Sequence, residues 1–159
     1  MAGRRVISFD LDGTLLCDGS PHLVDPLASP LLGPFGCRED RLRLGALPLL
    51  RGLASEGIEL WIYTQSLRGK SEVTDWFISL GIPLSGYVNL ALHEKACEER
   101  GILGRRPLKS PHWFGIDVHV DDDAEVAREL EGSGCRVLVV AEDERDFEGW
   151  VRSRLEQMG

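Results

Sequence analysis

Two kinds of apolar pattern alternate along this chain. RRVISF ahead of Asp10, IELWIY ahead of Thr64, FGIDVHV ahead of Asp121 and CRVLVVA from Cys135 are short apolar runs with the length and β-branched content of buried strands. Between and after them, ALPLLRGLASEG, SEVTDWFISLG, AEVAREL and RDFEGWVRSRLEQM place apolar residues every three or four positions. The first two of these end at Gly57 and Gly81, a residue type that closes helices. YVNLA reads as one more short strand, whereas the stretch from His93 to Pro111 follows neither template. The order of elements predicts an α/β fold, Rossmann-like, with a mostly parallel sheet and helices on both faces.

One segment breaks the rhythm. From about Cys17 to Arg43 (17–43) the chain is rich in Pro and Gly and has no sustained period, so an ordered loop or minimal flap is expected there. With 159 residues, 43% of them hydrophobic, the length suits one domain (1–159). No apolar run is long enough to cross a bilayer, and the one after Arg4 and Arg5 is cut short by Asp10, so neither a span nor a signal peptide is expected. Cys17, Cys37, Cys97 and Cys135 are scattered without zinc spacing, which fits a reduced, cytoplasmic setting. A net charge of −8 argues against nucleic acid and anionic lipid as partners, although Arg100, Arg105, Arg106 and Lys109 form a local basic cluster.

The candidate chemistry lies at the strand ends. In an open parallel sheet the loops at the carboxyl ends of the strands share one edge, and ligands bind there. Asp10 with Asp12, Thr64 with Ser66, and Asp121 with Asp122 and Asp123 all follow predicted strands. Carboxylates converging on one spot repel each other unless a cation sits among them, and an all-oxygen donor set suits Mg2+. The plainer alternative makes Asp10 and Asp12 the start of an Asp-Gly turn and the Asp121 run a helix cap. It leaves unexplained why acids end two separate buried strands.

These residues also carry a resemblance. FDLDGT, a hydrophobic strand followed by Asp-x-Asp-Gly-Thr, resembles the first motif of the haloacid dehalogenase (HAD) superfamily of phosphohydrolases. WIYT resembles its second motif, HVDDD its fourth, and Lys109 is the natural counterpart of its third-motif lysine, with Lys95 behind it. The resemblance implies a magnesium-dependent phosphomonoesterase acting through an aspartyl-phosphate. Asp10 would be the nucleophile, and Asp12 the acid for the leaving oxygen and then the base for water. Thr64, Gln65 and Lys109 would bind the substrate phosphate. Asp10, the backbone carbonyl of Asp12, Asp121 and Asp122 would hold Mg2+. Asp12 favours phosphatase chemistry, because the family's dehalogenases lack that second acid.

The short intervals between motifs resemble the family's minimal-cap group. Its open sites take a bulky phosphoester, such as a phosphoprotein, or a small phosphometabolite when a homo-oligomer closes the site. His22 and Arg38, on the flap, are candidates for selecting substrate or plain loop residues. Two other readings compete. A non-catalytic regulatory or interaction protein would keep the scaffold without turnover. SLRGKS resembles the end of a P-loop, yet Thr64 stands where that motif needs its first glycine, and the plainer reading makes Ser71 a helix cap. His119 is expected to be packed within its strand, and His93 and Cys97, four apart, to share a helix face in a structural role. The tryptophans are expected in the core, with Trp113 and Phe114 as alternative candidates for the pocket entrance.

Overall fold

The structure is a computed structural model and describes residues 5–17, 23–32 and 39–159. Arg4, His22, Cys37 and Arg38 lie outside the described residues, as do 18–21 and 33–36 of the predicted flap.

Five parallel strands form the central sheet: β1 (Val6–Phe9), β5 (Glu59–Tyr63), β6 (Gly86–Val88), β7 (Val118–Asp121) and β8 (Arg136–Val139). Their spatial order is β6-β5-β1-β7-β8. The chain winds outward from β1 through α1 (Ala46–Ser55), β5 and α2 (Lys70–Ser79) to β6 at one edge. It then returns through α3 (Leu90–Glu99) and a 3-10 turn, Pro111–Phe114, to β7 on the other side of β1. From there α4 (Ala124–Glu129) leads to β8, and α5 (Phe147–Glu156) ends the chain. The direction of winding reverses between β1 and β7, and the crevice outside their carboxyl ends is where such sheets bind ligands.

Alternation along the strands divides the core in two. Ile7, Phe9, Leu60, Ile62, Val118 and Val120 face a large apolar cluster with Leu49 and Leu53 of α1, Phe77 of α2 and Val151 of α5. The opposite face carries Tyr63, Val88 and Ile116 in a smaller cluster. Right-handed crossovers put α3 and α4 on this second face. Their common side is visible in the 105–108 loop after α3, where Leu108 N–H donates to Glu129 of α4 at 2.7 Å. Gly86 makes room on the edge strand, since a Cβ there would fall 2.2 Å from the Trp61 ring.

The flap region departs from expectation. Its described parts form a second, antiparallel sheet of short strands ordered β2-β4-β3: β2 (Leu16–Cys17), β3 (Leu31–Leu32) and β4 (Glu39–Leu42). Strands of two to four residues are too short to leave a period in the sequence. The sheet is tied to the main body, with Trp76 of α2 donating its indole N–H to Ser29 O at 2.9 Å. The Ser71 cap is also corrected. Gly69, in extended conformation, is the N-cap of α2 and Ser71 lies inside the helix, because Lys70 already has helical geometry. Among the described residues, no helix is long and apolar enough to cross a membrane.

Candidate active site

Register brings the acids together. Phe9 of β1 pairs with Val120 of β7, so Asp10 and Asp121 emerge side by side where the two strands end. Asp10 N–H still donates to Val120 O at 2.9 Å, which keeps its backbone in the ladder one residue past β1. Gly13, at φ +82°, then turns the chain sharply. Absence of a side chain matters there as well, because a Cβ would stand 2.5 Å from an Asp122 carboxylate oxygen.

Lys109 lies between the two acids. Its ammonium is 2.8 Å from Asp10 Oδ1 and 2.6 Å from Asp121 Oδ2, with only 2% of the side chain exposed. It belongs to a loop, and the loop is tied down at each residue. Pro107 O accepts from His93 Nε2 at 2.7 Å, Leu108 O accepts from Gln65 Nε2 at 3.3 Å, and Ser110 N–H donates to Tyr63 OH at 2.9 Å. Tyr63 OH in turn lies 2.6 Å from His93 Nδ1. A carbonyl only accepts, so the Nε2–H tautomer of His93 is the one that satisfies both of its partners, donating to Pro107 O and accepting from Tyr63 OH. Burial pushes the His93 pKa below its ordinary value. Lys95, the other lysine considered, is 70% exposed on α3 beside Glu99.

The electrostatics of the pair are unequal. Burial raises the pKa of Asp10, Lys109 lowers it, and the charges of Asp121 and Asp122 raise it again, leaving Asp10 at about 7. Burial also works to raise Asp121, but the hydrogen bond from His119 and the Lys109 charge prevail and hold it well below the usual carboxylate range. Burial and the neighbouring Asp121 charge raise Asp122.

Oxygens of Asp10, Asp121 and Asp122 all lie within 4.8 Å of one another. These three carboxylates face one ammonium, leaving two uncompensated negative charges when all are ionised. An all-oxygen set with that deficit fits a hard divalent cation. The Asp12 side chain is not in this cluster. It is half exposed and leans toward Arg68, whose guanidinium is 3.6 Å from Asp12 Oδ1 and 2.5 Å from Asp40 of β4.

All seven predicted site residues line one cavity of about 400 Å³: Asp10, Asp12, Thr64, Gln65, Lys109, Asp121 and Asp122. Thr64 is buried, and its hydroxyl is 3.1 Å from Ser66 Oγ. Asp123, third in the acidic run, caps α4 by accepting from Glu125 N–H at 2.8 Å, so the helix-cap reading holds for it and not for its two predecessors.

Other expectations are redirected. Trp113 and Phe114 do not line this cavity. Trp113 stacks on His93 and under Arg100, while Phe114 meets Tyr63 edge to face, because the 3-10 turn carries both rings onto the second face of the sheet. Arg105 and Arg106 are paired with Glu129 and Glu94. His93 and Cys97 do share a face of α3, with 3.6 Å between Nε2 and Sγ. His119 is packed as expected, yet it also touches the site, with Nε2 2.8 Å from Asp121 Oδ2.

Residues the sequence reading passed over are Ser8, Thr14, Asp40 and Arg68. Thr14 carried a signal, being the last residue of FDLDGT; its hydroxyl is 3.2 Å from Asp122 Oδ1 and 3.5 Å from Asp10 Oδ2. The other three reach the site only through tertiary contacts.

No family model matches the chain, and no curated protein does. Among solved structures, it is similar to a predicted HAD-like family hydrolase from Porphyromonas gingivalis, at 13% identity over 98% of each chain and a TM-score of 0.49.

Proposed function

We propose that the chain is a magnesium-dependent phosphomonoesterase that works through an aspartyl-phosphate on Asp10. The observation that carries this reading is the convergence of Asp10, Lys109 and Asp121 at the winding reversal, with Asp12 beside them on the cavity wall. The resemblance of FDLDGT, WIYT and HVDDD to the HAD motifs supports it from the sequence side.

In this mechanism a carboxylate oxygen of Asp10 attacks phosphorus in line, and the bond from phosphorus to the leaving oxygen breaks. The Asp12 carboxyl gives its proton to that oxygen. Water then attacks the phosphorus of the acyl phosphate and passes a proton back to Asp12; the bond between Asp10 and phosphorus breaks, and inorganic phosphate leaves. Lys109 stabilises charge on Asp10 and on the phosphoryl oxygens, and the Thr64 hydroxyl donates to one of those oxygens. Mg2+ held by Asp10, Asp121 and Asp122 would keep Asp10 ionised and reduce repulsion between the carboxylate and the ester.

The substrate class follows from shape and charge. With no large cap among the described residues, a small phosphometabolite would need a second copy of the chain to close the site, whereas a phosphoprotein would not. The net charge of −8 disfavours nucleic acid. The buried thiols of Cys97 and Cys135 suit a reducing, cytoplasmic compartment.

The decisive experiment is hydrolysis of an aryl phosphate by the pure protein with Mg2+, combined with borohydride trapping of the acyl phosphate. Turnover that stops on chelation and is absent in Asp10→Asn is expected, with the trapped label on Asp10. Turnover persisting in pure Asp10→Asn would overturn the mechanism, and no turnover across a broad set of phosphoesters would favour the non-catalytic reading.

A further inference from the structure

Behind the carboxylates, the sheet is polar where an ordinary sheet would be apolar. Ser8 of β1 and His119 of β7 are register partners, and both are fully buried. The Ser8 hydroxyl lies 2.7 Å from His119 Nδ1, and His119 Nε2 lies 2.8 Å from Asp121 Oδ2. An ionised carboxylate only accepts, so Nε2 carries the proton toward Asp121; in the neutral ring Nδ1 then accepts from Ser8. The hydrogen bonds therefore run in one direction, from Ser8 through His119 to Asp121.

Asp121 is held from three sides. His119 and Lys109 both donate to Oδ2, the latter at 2.6 Å, and the Asp123 backbone N–H donates to Oδ1 at 3.0 Å. Lys109 is equally engaged with Asp10 at 2.8 Å, so its ammonium by itself does not set the rotation of the Asp121 carboxylate. The His119 imidazole, two residues back along the same strand, adds a second donor of fixed direction on that oxygen. Burying an imidazole and a hydroxyl between central strands costs free energy that an aliphatic pair would avoid, and the two short hydrogen bonds offset it.

We infer that His119, oriented by Ser8, is a positioning residue that fixes the Asp121 carboxylate so that Asp10, Asp121 and Asp122 converge on one divalent cation. The inference rests on the metal-dependent reading above for the presence of that cation. A ligand backed by a buried partner in this way holds its metal in a set geometry, and loss of such a partner weakens metal binding by about 10- to 100-fold.

The test is Mn2+ binding to the full chain without substrate, followed by electron paramagnetic resonance of the free ion, with Mg2+ calorimetry alongside. Wild type is compared with His119→Leu, His119→Gln and Ser8→Ala, each shown to unfold cooperatively. His119→Leu is expected to weaken Mn2+ binding about 10- to 100-fold. His119→Gln, which restores an N–H toward Asp121, should recover most of the loss, and Ser8→Ala should show a smaller loss in the same direction. A folded His119→Leu with wild-type affinity would overturn the inference. Should that variant fail to fold, wild-type affinity in Ser8→Ala overturns it instead. Wild-type protein that binds neither ion would overturn this inference and the metal-dependent reading together, whereas a binding wild type with indifferent variants overturns this inference alone.

Discussion

Asp10 and Asp121 are the same side chain at the ends of neighbouring strands, and their surroundings drive them apart. Asp10 is pushed up to about 7 by burial and by two nearby acids, while Asp121 is held low by His119 and Lys109 despite its burial. One lysine serves both, so the histidine tips the balance. Gly13 governs the third acid. Its φ of +82° and the 2.5 Å that would separate a Cβ from Asp122 mean that Gly13→Ala must displace Asp122 and strain the turn. The expected outcome is a protein less stable by about 1–2 kcal/mol, with divalent binding weakened at least tenfold. Urea denaturation and Mn2+ titration of the variant check the two parts separately.

At the scale of elements, the site depends on how the loops around β1 are tied to distant parts of the chain. Arg43, just past β4, is fully buried, and its guanidinium donates to the carbonyls of Thr14, Ala141, Glu142 and Glu144. It also lies 4.7 Å from the centre of the Phe147 ring at the start of α5. One side chain thus joins the turn after β1 to the loop after β8. Arg43→Met keeps the apolar stem but leaves buried carbonyls without a donor, at a cost on the order of 3 kcal/mol. The variant should show a lower urea midpoint with an unchanged slope. Arg68 makes the corresponding link on the other side, between Asp12 and Asp40 of β4.

For the whole molecule, stability against pH reports on the site. His119 is lowered to about 4 from 6.5 by burial and by Lys109. The unfolded chain therefore binds that proton first, and stability falls as pH drops from 6.5 toward 4. His93 acts in the same direction. Asp10 acts in the opposite one: raised from 3.8 to about 7, it binds its proton more readily in the folded state, so its share of stability is present below 3.8 and lost as pH rises through 7. In metal-free wild type these slopes oppose each other between about pH 4 and 6.5, the window the two shifts share. Asp10→Asn removes one side of the balance. Denaturation in chelator should find it more stable than wild type at pH 8, by on the order of 1–3 kcal/mol. On acidification it should lose stability more steeply, by up to about 1.4 kcal/mol per pH unit.

Much of this was legible in the sequence, because it is local. Short apolar runs and helical periods depend only on near neighbours, so the strands before Asp10, Thr64 and Asp121 and the helices α1 and α2 could be read directly, and strand-end acids follow once the strands are known; α3 could not, because YVNLA runs from β6 straight into its first turn and the residues from His93 onward fit neither pattern. The short strands of the flap left no period to read, and FDLDGT offered Thr14 without saying what it would touch. The tertiary structure alone decided the rest. The strand order sets Asp10 beside Asp121, a loop pinned by Tyr63 and His93 delivers Lys109 between them, and the β1–β7 register joins Ser8 to His119. Those contacts span up to 111 residues of chain, and no local pattern encodes a partner at that distance.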